Sequence, residues 1–199
     1  MGGTMRRIGI TGGIGAGKSA VTDFLRERGY AVIDADEVSR EAAMPGEPSM
    51  LRLREELGDG VFLEDGNLDR KALAELMFAD SVALMTVNEI FHGDIKRRMA
   101  VACDKRAEQG DKVVFISAPL LFEAEADWMA DEVWLVSTDE DVRLRRVMER
   151  DGLSEAEVLS RMENQMPEAE KRARADAVIE NNGGLEELYA AVEGRIGGL

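Results

Sequence analysis

A chain of 199 residues with 45% hydrophobic content can bury one core with an appended substrate-binding region, and is too short for two large independent domains. Forty acidic against 25 basic side chains leave a formal charge of −15, which repels nucleic-acid backbones and anionic lipid and disfavours both as partners. The same field opposes an anionic nucleotide, so such a ligand requires a local nest of amides and cations strong enough to overcome it.

The first residues, Met1-Gly2-Gly3-Thr4-Met5-Arg6, lack the hydrophobic run of a secretory signal, and Arg6 stands where a myristoylation signal has Ser or Thr. Both Met1 and Met5 remain open as starts. Ile8-Gly9-Ile10 reads as a strand, a glycine cluster follows, and Ala20, Val21, Phe24 and Leu25 then recur at helical spacing. Ala31-Val32-Ile33 is a second short apolar run, ending at Asp34-Ala35-Asp36 as a buried parallel strand presents polar groups at its carboxyl end. From about 37 to 110 the pattern turns helical, through Leu51, Leu53 and Leu57, then Leu73, Leu76 and Met77, then Val87, Ile90 and Ile95. Pro45, Gly46 and Pro48 punctuate its start, and Asp65-Gly66-Asn67 marks a turn within it.

Val113-Val114-Phe115-Ile116 and Val133-Trp134-Leu135-Val136 are two further strands, with Val178-Ile179 a weaker fifth. Strands alternating with helices imply an α/β fold with a parallel five-stranded sheet flanked by helices, whose ligands gather outside the strands' carboxyl ends. The expected core is 5–36, 111–138 and 174–199 within one domain, with a helical insertion over about 37–110. Cys103 is the only cysteine, so no intrachain disulfide forms. No apolar run approaches the roughly 18 residues that span a bilayer, and a reducing, cytoplasmic setting is the expectation.

Gly12-Gly13-Ile14-Gly15-Ala16-Gly17-Lys18-Ser19 fits G-x-x-x-x-G-K-[ST] completely, between a predicted strand and a predicted helix. Glycines let successive amides point inward at phosphate oxygens, and the helix adds the positive end of its dipole. Lys18 then reaches the β- and γ-phosphates of ATP, Ser19 ligates Mg2+, and Ala20 offers only its backbone amide. The bland alternative, a tight turn alone, does not require Lys-Ser after the last glycine.

Asp34 and Asp36 close the second strand, where alternation points both to one side. Two readings stay open: a carboxylate, preferably Asp36, that accepts an acceptor hydroxyl's proton or holds magnesium through water, or a cap for a helix beginning near Glu37. The densely charged segment from Asp139 to Gln165 includes Arg143, Arg145, Arg146, Arg150 and Arg161. It reads either as a solvated helical pair or as a lid whose Arg146 and Arg150, four apart, clamp phosphates. His92, the sole histidine, reads by itself as a packing or surface residue, and its count excludes a histidine metal cluster.

Taken together, these residues resemble the dephospho-coenzyme A kinases over about 5–196. The resemblance rests on the phosphate loop with Ile10-Thr11, on Val32-Ile33-Asp34-Ala35-Asp36 with Arg40, on His92, and on Pro119-Leu120-Leu121-Phe122-Glu123. It continues through Arg146 with Arg150-Asp151, Gln165, and Ala175-Asp176 with Val178-Ile179 and Asn181. It implies a P-loop NTPase fold of the nucleoside-kinase type, a coenzyme A-binding role for the helical insertion, and a mobile lid over about 139–168. The implied activity is ATP-dependent phosphorylation of the ribose 3′-hydroxyl of dephospho-coenzyme A, with Mg2+.

By resemblance, Asp36 is the catalytic base and magnesium-associated carboxylate, with Lys18 and Arg146 as its catalytic partners. ATP falls to Gly13, Gly15, Ala16, Gly17, Lys18, Ser19, Ala20, Arg150 and Asn181, the last near adenine. The acceptor falls to Asp36, Arg40, His92, Pro119 and Leu120. Four sites depart from the pattern: Gly93 stands where proline is usual, Ser117-Ala118 where many members carry Asp-Val, Ala20 for a frequent threonine, and Lys171 for arginine. A monomer or small homo-oligomer acting on small molecules is expected. A GTPase-like switch is disfavoured by the lack of N-K-x-D and D-x-x-G motifs, and acceptor identity rests on the family likeness alone.

Overall fold

The computed structural model describes residues 5–199; the acylation and Met1-start readings fall at least partly on residues 1–4, outside them. Five parallel strands form one sheet in the order β2-β3-β1-β4-β5, with β1 at Arg6–Thr11, β2 at Ala31–Asp34, β3 at Val113–Ser117, β4 at Glu132–Ser137 and β5 at Ala177–Glu180. The expected α/β class is therefore realised, and even the weak Val178-Ile179 signal marks a strand. Central β1 and β4 are covered on both faces, which is why they read as near-continuous apolar runs. Ile8 aligns with Phe115, and Ile10 with both Ser117 and Trp134.

Helices α1 (Lys18–Glu27) and α9 (Leu185–Ile196) cover one face, where Val21, Phe24, Leu25, Leu188 and Val192 pack on Ile8, Ile10, Phe115 and Trp134. Phe24 and Tyr189 stack with ring centroids 4.5 Å apart, joining the two helices. After β4 come α6 (Glu140–Asp151), α7 (Glu155–Glu163) and α8 (Glu168–Arg174). Ser154 and Glu157 form a reciprocal capping box at the start of α7.

The chain divides into two compact units, Asp34–Lys105 and the remainder of the described residues. The smaller unit holds α2 (Ala35–Ala42), α3 (Pro48–Leu57), α4 (Arg70–Ala79) and most of α5 (Ser81–Glu108). Its own core is Leu53, Val61, Leu73, Val87 and Ile90. Pro48 opens α3, where its missing N–H costs nothing, and the Asp69 carboxylate caps α4 by accepting from Lys71 N and Ala72 N at 3.0 Å each. The expected turn at Asp65-Gly66-Asn67 closes a small antiparallel bridge between Phe62 and Leu68. Among the described residues no helix is long and apolar enough to cross a membrane.

Lys171 of α8 is only 1% exposed, and its ammonium lies 2.7 Å from Glu123 Oε1. The Met166 amide donates to the same carboxylate oxygen at 3.0 Å. Burial alone raises the Glu123 pKa, but hydrogen bonds from Lys171 and from backbone amides, with the lysine charge, outweigh it and hold the group below its ordinary value. A carboxylate with a depressed folded pKa stabilises the fold above its unfolded value near 4.5, and that stability is lost as pH falls through the folded value. Acid unfolding followed by circular dichroism should therefore show a stability difference between the wild type and Glu123→Gln that is largest near neutrality. It should shrink progressively below about pH 4.5, where the unfolded chain takes up the proton first, and vanish once the folded group protonates as well.

Candidate functional site

Strand β1 sits between β3 and β4 and delivers residues 12–17 to the carboxyl edge of the sheet, where the chain turns into α1. Gly17, at φ 92°, precedes the helix without a side-chain cap, and no acidic residue stands in the first turn. The first-turn amides and the helix dipole are thus left to act on a ligand. Gly15 has φ 77°, a left-handed conformation that costs other residues energy. A Cβ there would also lie 2.8 Å from both the Arg143 carbonyl oxygen and Val147 Cγ2.

The loop is held from outside by residues distant in sequence. The Ala16 carbonyl accepts from Asn181 Nδ2 at 2.7 Å, and the Thr138 hydroxyl lies 3.0 Å from it and 3.1 Å from the Asn181 carbonyl, with one proton for the two. The Ile14 amide donates to Gln165 Oε1 at 2.9 Å, and the Ala16 amide closes the turn onto the Gly13 carbonyl at 3.0 Å. Anchoring the Ala16 carbonyl on outer donors turns it away from the loop's interior, which is left to N–H groups.

Lys18 Nζ donates to Ser117 Oγ at 2.5 Å, so a hydroxyl at the carboxyl end of β3 is a partner of the loop lysine. Ser19 is exposed on the first turn of α1, and Ala20 is half-buried beside it. Arg146 donates from Nη1 to the Asn181 carbonyl at 3.1 Å and from Nη2 to the Gly183 carbonyl at 3.4 Å, which brings its positive end beside Gly17. Arg150 has a different partner. The Arg150 guanidinium forks onto Asp151, with Nε 2.7 Å from Oδ1 and Nη2 2.9 Å from Oδ2. These hydrogen bonds raise the Arg150 pKa and hold the Asp151 carboxyl below its ordinary range. Pro119 contributes its carbonyl to the Thr11 hydroxyl at 3.2 Å, and Leu120 is exposed.

In the helical unit, Asp34 takes the capping role: its Oδ1 accepts from Asp36 N at 2.9 Å and Glu37 N at 3.3 Å. Helix α2 consequently starts at Ala35, two residues before the expected start, and Asp36 lies in its first turn instead of on a strand. The strand alternation expected to align the two carboxylates does not apply. Asp36 and Arg40, four apart on α2, share a helix face, and both are exposed. His92 is exposed on α5. A groove of about 290 Å3 in this unit is lined by Ser39, Arg70, Leu73, Met77 and Phe91.

Gln165 and Thr138 were not singled out as loop supports by sequence reasoning. They stand 151 and 122 residues from their loop partners, so no local pattern points to the pairing. Among the described residues no three His, Cys, Asp or Glu side chains cluster to hold a metal ion. A magnesium ion that arrives bound to phosphates, with a hydroxyl such as Ser19 as one protein ligand, fits this donor set, because Mg2+ keeps waters and shares substrate oxygens.

A family model described as dephospho-CoA kinase matches residues 6–187. The chain is 41% identical to a dephospho-CoA kinase of Shouchella clausii over 94% of each protein, and 44% identical to one of Geobacter sulfurreducens over 95% of this chain and 96% of the relative. Among solved structures, a Thermus thermophilus protein superimposes with a TM-score of 0.80 at 39% identity, covering 98% of both chains.

Because Gly15 combines left-handed backbone with close packing against α6, Gly15→Ala should weaken MgATP binding at least tenfold by calorimetry. Gly29→Ala, equally left-handed at φ 84° but with nothing near its side-chain direction, should leave MgATP affinity within twofold.

Proposed function

The chain belongs to the dephospho-CoA kinase family, whose members phosphorylate dephospho-CoA to CoA in the last step of CoA biosynthesis, and from that premise we propose how its own residues divide the work. The loop unit binds ATP along Gly13, Gly15, Ala16, Gly17, Lys18, Ser19 and Ala20, with Lys18 on the β- and γ-phosphates, Asn181 near the adenine and Arg146 toward the transferring group. It does so chiefly through the amides of Gly15, Gly17, Lys18 and Ser19, because those of Ala16 and Ala20 already donate to the Gly13 and Gly17 carbonyls. The helical unit binds the acceptor and carries Asp36, with Arg40 and His92 as substrate contacts and the groove beside Phe91 taking apolar parts of the acceptor. Pro119 and Leu120 are further proposed acceptor contacts.

The 3′-oxygen of the acceptor ribose attacks the γ-phosphorus, the bond to the β,γ-bridging oxygen breaks, and ADP leaves with that electron pair. The hydroxyl proton passes to the Asp36 carboxylate. Phosphoryl transfer requires little covalent help from the protein beyond such positioning and charge neutralisation. Ser19 and Asp36 would each offer an oxygen to magnesium, which when bound would supply charge neutralisation on the phosphates. Arg150, forked on Asp151, contributes to ATP only by exchanging that carboxylate for a phosphate, and residues 139–168 act as the lid that limits hydrolysis by water. The acidic field argues for small-molecule partners without nucleic acid, and the single cysteine suits a reducing, cytoplasmic setting.

The observation that carries this reading is the phosphate loop held in its left-handed turn by Asn181, Thr138 and Gln165 within a chain of this family. Purified protein should convert dephospho-CoA to CoA in an ATP-dependent manner and ignore adenosine, shikimate and gluconate. Asp36→Asn should lower kcat by about 10^2 to 10^4, with the KM for ATP little changed. An Asp36→Asn rate equal to wild type removes Asp36 from proton transfer.

A further inference from the structure

Arg143, on the first turns of α6, packs against the phosphate loop twice. Its carbonyl oxygen and Cα would lie 2.8 and 3.2 Å from a Cβ on Gly15, while a Cβ on Gly13 would overlap its Nη1 and lie 3.4 Å from Gln165 Oε1. The guanidinium thus occupies the space on the side-chain side of Gly13.

The charge of this group is poorly compensated. Arg143 is 8% exposed, and its Nε is buried with no hydrogen-bond partner among the described residues. The carboxylate facing it is Glu168, whose Oε2 lies 3.9 Å from Nη1, beyond hydrogen-bonding reach. Glu168 is engaged elsewhere, since its Oε1 accepts from the Ser137 hydroxyl and lies 3.9 Å from Arg172 Nε. A guanidinium cannot shed its proton, so it stays charged even where burial is costly. A packing role alone would be served better by an uncharged side chain of similar volume.

We propose that Arg143 is a positioning residue for ATP: its guanidinium braces Gly13 and lends the phosphate cradle a buried positive charge from the outer wall of the loop. This deepens the ATP-binding reading given above and rests on it. Arg143 acts through the loop and through its field, with no contact to the nucleotide required. It supplies positive charge where a protein of net charge −15 needs it, while exposed Arg150 is neutralised by Asp151. Glu168 tempers that charge.

The test is the Kd for MgATP by titration calorimetry in wild type, Arg143→Gln, Arg143→Lys and Glu168→Gln, with melting temperatures as a check on folding. Arg143→Gln should raise Kd about tenfold, and Arg143→Lys, which keeps the charge, no more than about threefold. Glu168→Gln, which removes the opposing carboxylate but keeps an acceptor for Ser137, should lower Kd about twofold to threefold, an outcome no bracing role alone produces. The proposal is overturned if Arg143→Gln binds within twofold of wild type, if the Lys and Gln variants weaken equally, or if Glu168→Gln binds no more tightly. Should Arg143→Gln fail to fold, the sign of the Glu168→Gln change decides. A wild type that binds MgATP but leaves dephospho-CoA unphosphorylated would defeat the functional reading and still let these titrations judge Arg143.

Discussion

A turn of backbone has to gather a triphosphate inside a protein whose formal charge is −15, and the rest of the larger unit is organised around keeping that turn in place. Its left-handed glycines set the direction of the N–H groups, but a glycine-rich segment alone is floppy and orders at an entropic cost. Rigidity comes from outside the loop. Asn181 from the end of β5 and Thr138 from the end of β4 fix the Ala16 carbonyl, and Gln165 fixes the Ile14 amide. The strand order places β1 beside β4, and β4 beside β5, so these ends converge on the loop. The sheet topology is thereby part of the binding site.

The arginines sort by the same constraint. Arg7 with Asp131 and Arg172 with Glu180 form exposed pairs of little net value to stability, and they add no positive charge where it would matter. Arg146, by contrast, donates to two carbonyl oxygens, which orient the guanidinium without cancelling it. Lys18 finds the Ser117 hydroxyl, a partner that carries no opposing charge. Each of these choices keeps local positive charge near the phosphates, so a strongly acidic protein can present an anion site by local arrangement.

Much of this was legible in the residues. The motif from Gly12 to Ser19, flanked by Ile8-Gly9-Ile10 and by helical spacing after Ala20, carries the strand, loop and helix, and the short β-branched runs carry the other four strands. The Asp34-Ala35-Asp36 segment was ambiguous because both strand alternation and helix capping suit aspartate. Capping by Asp34 won, since it satisfies two orphan amides at once. The pairing of Arg146 with Arg150 followed from helical spacing, but an adjacent carboxylate is a nearer partner for Arg150 than anything four residues away. Arg143, three residues before Arg146, shares a helix face by the same geometry. Its burial against Gly13 depends on tertiary packing that no local pattern encodes.

Titration of the wild type and of Lys18→Ala with MgATP, at low and moderate salt, tests the central claim most directly. The cradle account predicts saturable binding by the wild type, a loss of at least tenfold in Lys18→Ala, and an intact fold in both by circular dichroism. Folded wild-type protein that takes up no MgATP, or a Lys18→Ala variant that binds it as tightly as wild type, would contradict it.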